Sequence, residues 1–173
     1  MRREHIEELV CPCGPHGLTL QHGASEEQGE IKTGELRCSE HGLTVPIRGF
    51  VPRFVPDSSY SENFGEQWNR FRRTQLDKFN GTSLSKERFY SGTGWSPDEL
   101  KGARVLEAGC GAGRFTQVML DAGAQVYSVD LSSAVDACLA NNGPRERLCV
   151  AQADLCRIPF RRHSFDKVFC YGV

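Results

Sequence analysis

The chain has 173 residues, of which 39% are hydrophobic and 25% charged, and its mean hydropathy is -0.44. These values are typical of a globular protein with one domain, or with one small domain and part of another. No run of about 18 apolar residues occurs, which excludes a transmembrane helix. Acidic residues occupy the start of the chain, where a signal peptide needs an apolar stretch, so we expect a cytoplasmic protein.

The net charge of -1 is distributed without any basic block. Residues 1–57 carry a net charge of -3, whereas residues 58–101 and 102–173 each carry +1. Strong non-specific binding of nucleic acid is therefore not expected from charge alone. A solvated helix face is the simpler interpretation of one local basic patch, formed by Arg70, Arg72 and Arg73.

Composition divides the chain into three zones. Residues 1–57 are rich in Gly, Pro, Cys and His and predict a small β-rich module with strands at 17–21, 34–37 and 43–47. The polar stretch 22–30 is expected to be a hairpin loop.

Residues 58–101 predict a linker with helices. Phe64, Trp68 and Phe71 recur at i, i+4 and i+7, which places them on one helix face. This helix is expected to pack on the following domain, and a lid over a ligand site is a compatible role. Ser96 or Asp98 is expected to cap a short helix before residue 101.

Residues 102–173 alternate strands with helices at short loops, which predicts an α/β domain with a Rossmann-like, doubly wound parallel sheet. The expected strands and helices, in chain order, are 104–108, 114–121, 125–129, 133–140, 148–152 and 166–171.

A glycine loop, Gly109 to Gly113, joins the first of these strands to its helix. Its glycines let the backbone approach a ligand closely, and the helix start offers free N–H groups. The spacing G-x-G-x-G departs from the G-x-G-x-x-G of dinucleotide sites, which disfavours an oxidoreductase.

Two carboxylates follow the next strands. Asp130 ends the second strand, where it is able to accept hydrogen bonds from both hydroxyls of a ribose. Asp154 follows the third strand and is able to accept from an exocyclic amine, while the Leu155 N–H donates to a ring nitrogen. The sequence therefore predicts an adenosine site at the carboxyl edge of the sheet.

These motifs resemble the class I S-adenosylmethionine-dependent methyltransferases of the type-11 methyltransferase-domain kind. The matching segments are 107–113, 126–130, 153–155, 158–160 and 164–166, and the resemblance covers about residues 100–173. Residues 64–71 also resemble helices that precede this domain and would pack near the cofactor.

The resemblance implies methyl transfer from S-adenosylmethionine and a set of cofactor-binding residues. Glu107 and the glycine-loop backbone would hold the methionine part, Asp130 the ribose, and Asp154 with Leu155 the adenine. The implied cofactor-binding set is Glu107, Gly109, Cys110, Gly111, Gly113, Asp130, Leu131, Asp154 and Leu155. No catalytic base is identified, because His163 is better explained as a surface residue.

Three of the eight cysteines cluster with a histidine in the first zone. Two ligand pairs about two dozen residues apart are typical of a zinc ribbon, and this zone resembles the zinc-ribbon segments that precede some class I methyltransferases. The predicted ligands are Cys11, Cys13, Cys38 and His41. The first pair is C-x-C rather than C-x-x-C, so Cys13 with His16 is an alternative first pair, and a ribbon without metal is a further alternative.

The acceptor is not named by any motif. A small molecule, sugar or lipid-linked intermediate is favoured, with an RNA base as the second class. A truncated, non-catalytic interaction module is the alternative. The fourth strand would leave Val168, Phe169 and Tyr171 at a hydrophobic edge, so we expect a truncated product or a partner chain, including self-association, over that edge.

Overall fold

The computed structural model describes residues 1–56, 62–143 and 146–173, and the expected boundary between residues 57 and 58 lies outside them. The amino-terminal part begins with helix α1 and continues as an antiparallel sheet in which β3 lies at the centre, paired with β1, β2 and β4, and β5 pairs with β4. The elements are α1 Glu4–Glu8, β1 Thr19–Leu20, β2 Ser25–Glu27, β3 Glu30–Arg37, β4 Thr44–Arg48 and β5 Val51–Pro52.

The prediction of a loop over residues 22–30 is wrong in part, because residues 25–27 form strand β2. The turn between β2 and β3 is confined to Gln28 and Gly29, whose φ angles are +52° and +77°. Positive φ at both central residues is the geometry of a two-residue hairpin turn. The polar composition reflects an exposed strand, since all three residues of β2 are exposed.

Four helices follow within residues 62–101: α2 Glu62–Arg70, α3 Asp77–Asn80, α4 Leu84–Thr93 and α5 Pro97–Leu100. Ser96 caps α5 as one of the two predicted candidates, because its hydroxyl accepts from the Glu99 N–H while the Glu99 carboxylate accepts from the Ser96 N–H at 2.7 Å. Phe71 does not share the packed face predicted for it. Helix α2 ends at Arg70, and the Phe71 side chain is 51% exposed.

A four-stranded parallel sheet forms the remainder of the chain, in the order β8-β7-β6-β9. Strand order reverses after β8, so that β9 pairs with the far side of β6. The predicted α/β fold with a Rossmann-like, doubly wound sheet is therefore confirmed. The elements are β6 Arg104–Ala108, α6 Arg114–Asp121, β7 Gln125–Asp130, α7 Ala134–Asn142, β8 Leu148–Gln152, a 3-10 turn at Leu155–Arg157, and β9 Lys167–Cys170.

Alternate side chains of the parallel strands enter two separate hydrophobic cores. Val105 and Val126 face α6, α7 and the aromatic side chain of Phe89 in α4. Leu106 and Tyr127 face the opposite way, where they join the apolar core of the amino-terminal module. A parallel sheet needs both faces covered, and here the β-rich module covers the second face.

Helix α2 packs on α7 through a close backbone approach. A Cβ atom on Gly65 would lie 2.0 Å from the Ser133 Oγ, so this seam requires glycine. The Asn69 side chain donates to the carbonyl oxygens of Gly65 and Ser133, each at 2.9 Å. Among the described residues, no helix is long and apolar enough to cross a membrane.

A substitution at Leu9 tests whether the amino-terminal module and the parallel sheet unfold as one unit. Its side chain is fully buried, and its backbone forms a bridge with Phe160 of the β8–β9 connection. Leu9→Ala should reduce the free energy of unfolding by about 2–5 kcal/mol in urea denaturation and keep a single transition. Val168→Ala, at a side chain that is 60% exposed, is the matched control and should change it by less than about 0.5 kcal/mol. Equal effects of the two substitutions would contradict this packing.

Candidate functional site

The glycine loop lies between the end of β6 and the start of α6. Gly109, Gly111 and Gly113 have φ angles of +78°, +50° and +79°, a region in which other residues are strained. The N–H groups of Gly109 and Cys110 both donate to the Val129 carbonyl, at 2.8 and 3.0 Å. The loop is therefore held against the end of β7 by its own backbone.

Asp130 lies at the end of β7, where its side chain joins the glycine loop to the loop between β7 and α7. One carboxylate oxygen accepts the Gly111 N–H at 2.9 Å, and the other accepts the N–H and the hydroxyl of Ser132 at 2.9 and 2.7 Å. A carboxylate has about four acceptor positions, so this one is oriented by the chain and retains capacity for a ligand.

These groups border a cavity of about 500 Å³, within the range of small-molecule sites. Five of the nine predicted cofactor-binding residues line it: Gly109, Cys110, Gly111, Asp130 and Leu131. Further lining residues are Trp68, Gln75, Ala112, Arg114, Phe115, Ser132, Tyr171, Gly172 and Val173.

Glu107 lies beneath this cavity and does not line it. Its carboxylate accepts hydrogen bonds from the hydroxyls of Thr116 and, at 2.7 Å, Ser128, and it is fully enclosed. Burial raises the pKa of Glu107 to about 7, against the opposing effect of these two hydroxyls. In this structure Glu107 links β6, α6 and β7 under the glycine loop, and its predicted contact with the methionine part stays a prediction.

Gly113 also lies outside the cavity lining, and its contacts are with helix α7 instead. A Cβ atom there would lie 2.2 Å from the Asn142 Nδ2 and 2.8 Å from the Cys138 Sγ. The Asn142 side chain in turn donates to the Gly113 carbonyl at 3.0 Å. The third glycine of the motif therefore allows α6 to begin directly against α7.

Asp154 and Leu155 follow β8 at the same edge of the sheet. The Asp154 carboxylate accepts the Cys156 N–H at 2.8 Å and so caps the 3-10 turn, while Leu155 packs on the core shared with the amino-terminal module. Neither residue lines the cavity. Their predicted adenine contacts stay a prediction.

Trp68 lines the cavity although it lies in α2, outside the motifs that predicted the cofactor site. Its ring lies over the glycine loop, 3.7–3.9 Å from the position of a Cβ atom on Gly111. The aromatic spacing of α2 predicted a helix that packs on the following domain or covers a ligand site. The close approach of Gly65 to Ser133 is what places Trp68 of this helix over the glycine loop. Arg114 and Tyr171 also join the cavity from α6 and the end of β9. His163 is exposed, as expected of a surface residue.

A second candidate site lies in the amino-terminal module. The ligand atoms of Cys11, Cys38 and His41 all lie within 4.8 Å of one another, and the Cys38 Sγ is 3.5 Å from the His41 Nδ1. Pairing of Thr19 with Arg37 holds the two ligand-bearing turns side by side. Three of the four predicted ligands therefore converge.

The remaining candidates for a fourth ligand are adjacent to this cluster. Burial and the neighbouring thiols of Cys38 and Cys13 raise the pKa of Cys11 to about 11. Cys13 is exposed, whereas the His16 ring lies 5.1 Å from the His41 ring, measured between centroids. A Cβ atom on Gly14 would meet His41 at 3.0 Å, so glycine lets these side chains approach one another.

The α/β part is similar in sequence to a known family. Residues 106–173 match the family model described as a methyltransferase domain. This match covers less than half of the 173-residue chain. The glycine loop, Asp130 and Glu107 all lie within the matched part, whereas Trp68 and the Cys/His cluster precede it.

Solved structures similar to this chain include several methyltransferases. An S-adenosylmethionine-dependent methyltransferase from Mesorhizobium loti is 31% identical over 42% of this chain and 33% of its own length, with a TM-score of 0.39. The glycopeptide N-methyltransferase MtfA, solved with sinefungin, is 31% identical over 52% of this chain and 36% of its own, with a TM-score of 0.39. Magnesium protoporphyrin IX methyltransferase from Synechocystis, solved with SAH, is 23% identical over 66% and 48%, with a TM-score of 0.38.

The chain thus spans between a third and a half of the length of these three proteins. Comparison with curated proteins gives no match.

The buried carboxyl of Glu107 predicts a specific pH dependence of stability. The unfolded chain loses this proton near pH 4.5, whereas the folded chain keeps it until about pH 7. Stability from this group is therefore present at low pH and is lost as pH rises through that interval, by roughly 3 kcal/mol in all. Glu107→Gln keeps the shape without the charge, so the variant should gain stability relative to the parent between pH 5 and pH 8.

The measurement is urea denaturation of both proteins across that range. Other titrating groups are common to the two proteins and cancel in the difference. A difference in unfolding free energy that stays constant with pH would show that Glu107 is not the titrating group.

Proposed function

We propose that the chain takes part in methyl transfer from S-adenosylmethionine. The observation that carries this proposal is the cavity bounded by the glycine loop and the oriented Asp130 carboxylate, within residues that match a methyltransferase-domain model. The residues present fit this cofactor, because a backbone cradle, a hydroxyl-accepting carboxylate and an apolar wall converge on one cavity.

Each part of the cofactor has a matching group in the proposal. The glycine-loop backbone approaches the methionine part, the Asp130 carboxylate accepts from the ribose hydroxyls, and Asp154 with the Leu155 N–H holds the adenine. When bound, S-adenosylmethionine supplies an electrophilic methyl group on a sulfonium. The chain contributes by orienting that ligand and by excluding water with aromatic side chains such as Trp68 and Phe115.

The class of methyl acceptor is the second part of the proposal. We favour a small molecule, a sugar or a lipid-linked intermediate, because the whole chain has a net charge of only -1. An RNA base is the second class. The alternative of a non-catalytic module is separated from both by cofactor binding followed by an assay of methyl transfer.

Calorimetric titration with S-adenosylhomocysteine tests the cofactor site. Asp130→Ala removes an acceptor of charge-assisted hydrogen bonds, worth about 1.5–3 kcal/mol each, and should weaken binding by roughly 10- to 100-fold. Asp98→Ala removes an exposed carboxylate that does not line the cavity and should leave the affinity unchanged. Absence of binding by the parent chain, or equal binding by both variants, would refute the proposed site.

We also propose that the Cys/His cluster binds zinc in a closed structural site. Ligand atoms around a tetrahedral zinc with bonds of about 2.0–2.3 Å lie roughly 3.3–3.8 Å apart, and the three ligand atoms here lie within 4.8 Å of one another. The proposed ligands are Cys11, Cys38 and His41, with Cys13 or His16 as the fourth. Zinc there would stabilise the module by fixing its two ligand-bearing turns to each other.

Elemental analysis of the purified chain should find about one zinc ion per chain. Cys38→Ser should lose the metal and lower the melting temperature, whereas Cys156→Ser, at an exposed cysteine outside the cluster, should retain both. Cys13→Ser and His16→Ala identify the fourth ligand by which of them loses zinc. A zinc content that is the same in the parent and in Cys38→Ser would contradict the site.

A further inference from the structure

Residues 70–88, here called the rim segment, lie beside the mouth of the cofactor cavity. The Asn141 side chain donates to the carbonyl oxygens of Arg72 and Ala112, each at 2.8 Å, and so ties this segment to the glycine loop. Gln75 of the same segment lines the cavity. Anything that docks on the rim segment is therefore brought next to the cofactor.

A rigid frame holds the rim segment. Leu76, within this segment, is fully buried, and the Asp77 carboxylate accepts the N–H groups of Ser85 and Lys86 at 2.9–3.0 Å. The Ser85 hydroxyl also donates to Asp77, at 2.8 Å. Side chains that point outward from this frame are therefore presented by an ordered structure.

Three large apolar side chains point outward from it. Phe71, Phe79 and Leu84 are 51%, 44% and 62% exposed. They are three of the seven large hydrophobic side chains that are exposed in the described parts of the chain. Scattered apolar residues are common on protein surfaces, but three within one short segment that also reaches the cavity through Gln75 indicate a binding surface.

Positive charge is interleaved with these apolar side chains. The rim segment contains six basic residues and two acidic ones, although the whole chain carries -1. Both acids are engaged locally: Asp77 accepts from backbone N–H groups, and Glu87 accepts from the Ser83 hydroxyl. Within residues 1–56, 62–143 and 146–173, Arg70, Arg72 and Arg73 form no ion pair with an acid.

The arrangement favours a lipid surface over single-stranded RNA. Cations already lie on the aromatic rings, with the Arg73 guanidinium 4.8 Å and the Lys78 ammonium 5.1 Å from the Phe79 centroid. A stacking base would compete with them for the ring faces. Leu84 offers no π face to a base, whereas exposed Leu and Phe with Lys and Arg are the composition that enters the headgroup region of an anionic bilayer.

We propose that the rim segment docks the chain on an anionic membrane surface. The phenyl and leucyl side chains enter the headgroup boundary, and the arginines contact lipid phosphates. The consequence that the methyl acceptor is borne by a lipid rests on the proposed function, whereas the docking itself does not.

Flotation of the full chain with lipid vesicles tests the proposal. We expect the chain to float with vesicles of equimolar phosphatidylglycerol and phosphatidylcholine, to remain unbound with phosphatidylcholine alone, and to be released as salt is raised. Arg70→Gln with Arg73→Gln removes two charges and should weaken partitioning about 25-fold. Phe71→Ser with Leu84→Ser should weaken it by about tenfold or more.

Matched controls carry the same changes elsewhere. Arg161→Gln with Arg162→Gln removes two charges at exposed positions outside the rim segment, and Val168→Ser removes an exposed apolar side chain. These variants should partition as the parent does. All variants are compared by their binding of S-adenosylhomocysteine, which should be unchanged and confirms that they fold.

The outcomes separate the proposals. No binding to anionic vesicles, or equal losses in the rim and control variants, overturns the docking surface. Tight binding of a single-stranded oligouridylate without vesicle binding also overturns it, in favour of nucleic acid. Vesicle binding by a chain that does not bind S-adenosylhomocysteine supports the docking surface and refutes the proposed function.

Discussion

A parallel sheet has two apolar faces, and the need to cover both determines how this chain folds. Helices α6 and α7 cover one face, as the alternation of strands and helices requires. The other face is covered by the amino-terminal module, whose core is continuous with Leu106 and Tyr127. The module is thus part of the support of the sheet as well as the carrier of a candidate metal site.

The same sheet sets the geometry of the cavity at the glycine loop. Because β6 and β7 are adjacent and parallel, their carboxyl ends bring the glycine loop and Asp130 within hydrogen-bond distance of each other. Below them, the buried Glu107 carboxylate accepts hydrogen bonds from the hydroxyls of Thr116 and Ser128. Burial raises the pKa of Glu107 to about 7. The cavity therefore has the Asp130 carboxylate in its lining and the buried Glu107 carboxyl, with its raised pKa, beneath it.

Helix α2 and the rim segment connect this cavity to the exterior. Gly65 lets α2 approach Ser133 closely, which places Trp68 over the glycine loop, and Asn141 holds the rim segment to the same loop. The cavity, the helix that covers it and the proposed docking surface thus share two short loops at one edge of the sheet. A ligand that orders these loops would act on all three.

Local patterns in the sequence were sufficient for the α/β part. Strand 104–108, helix 114–121 and strand 148–152 follow from apolar runs and turn residues, and their observed bounds agree. The glycine spacing and the acid at the end of β7 predicted an adenosine site, and the structure brings both to one cavity because they lie at neighbouring strand ends. Strand β2 was missed, because an exposed polar strand has no apolar periodicity to mark it.

The rest required distances that no local pattern contains. The sequence alone determined the fold class, the glycine loop, Asp130 and the Cys/His candidates, since each depends on residues close together in the chain. Only the tertiary structure decided that Glu107 lies beneath the cavity, that Trp68 covers it and that the module covers the sheet. Those placements depend on side chains packing across elements far apart in sequence, such as Gly65 against Ser133 and Leu9 beside Phe160.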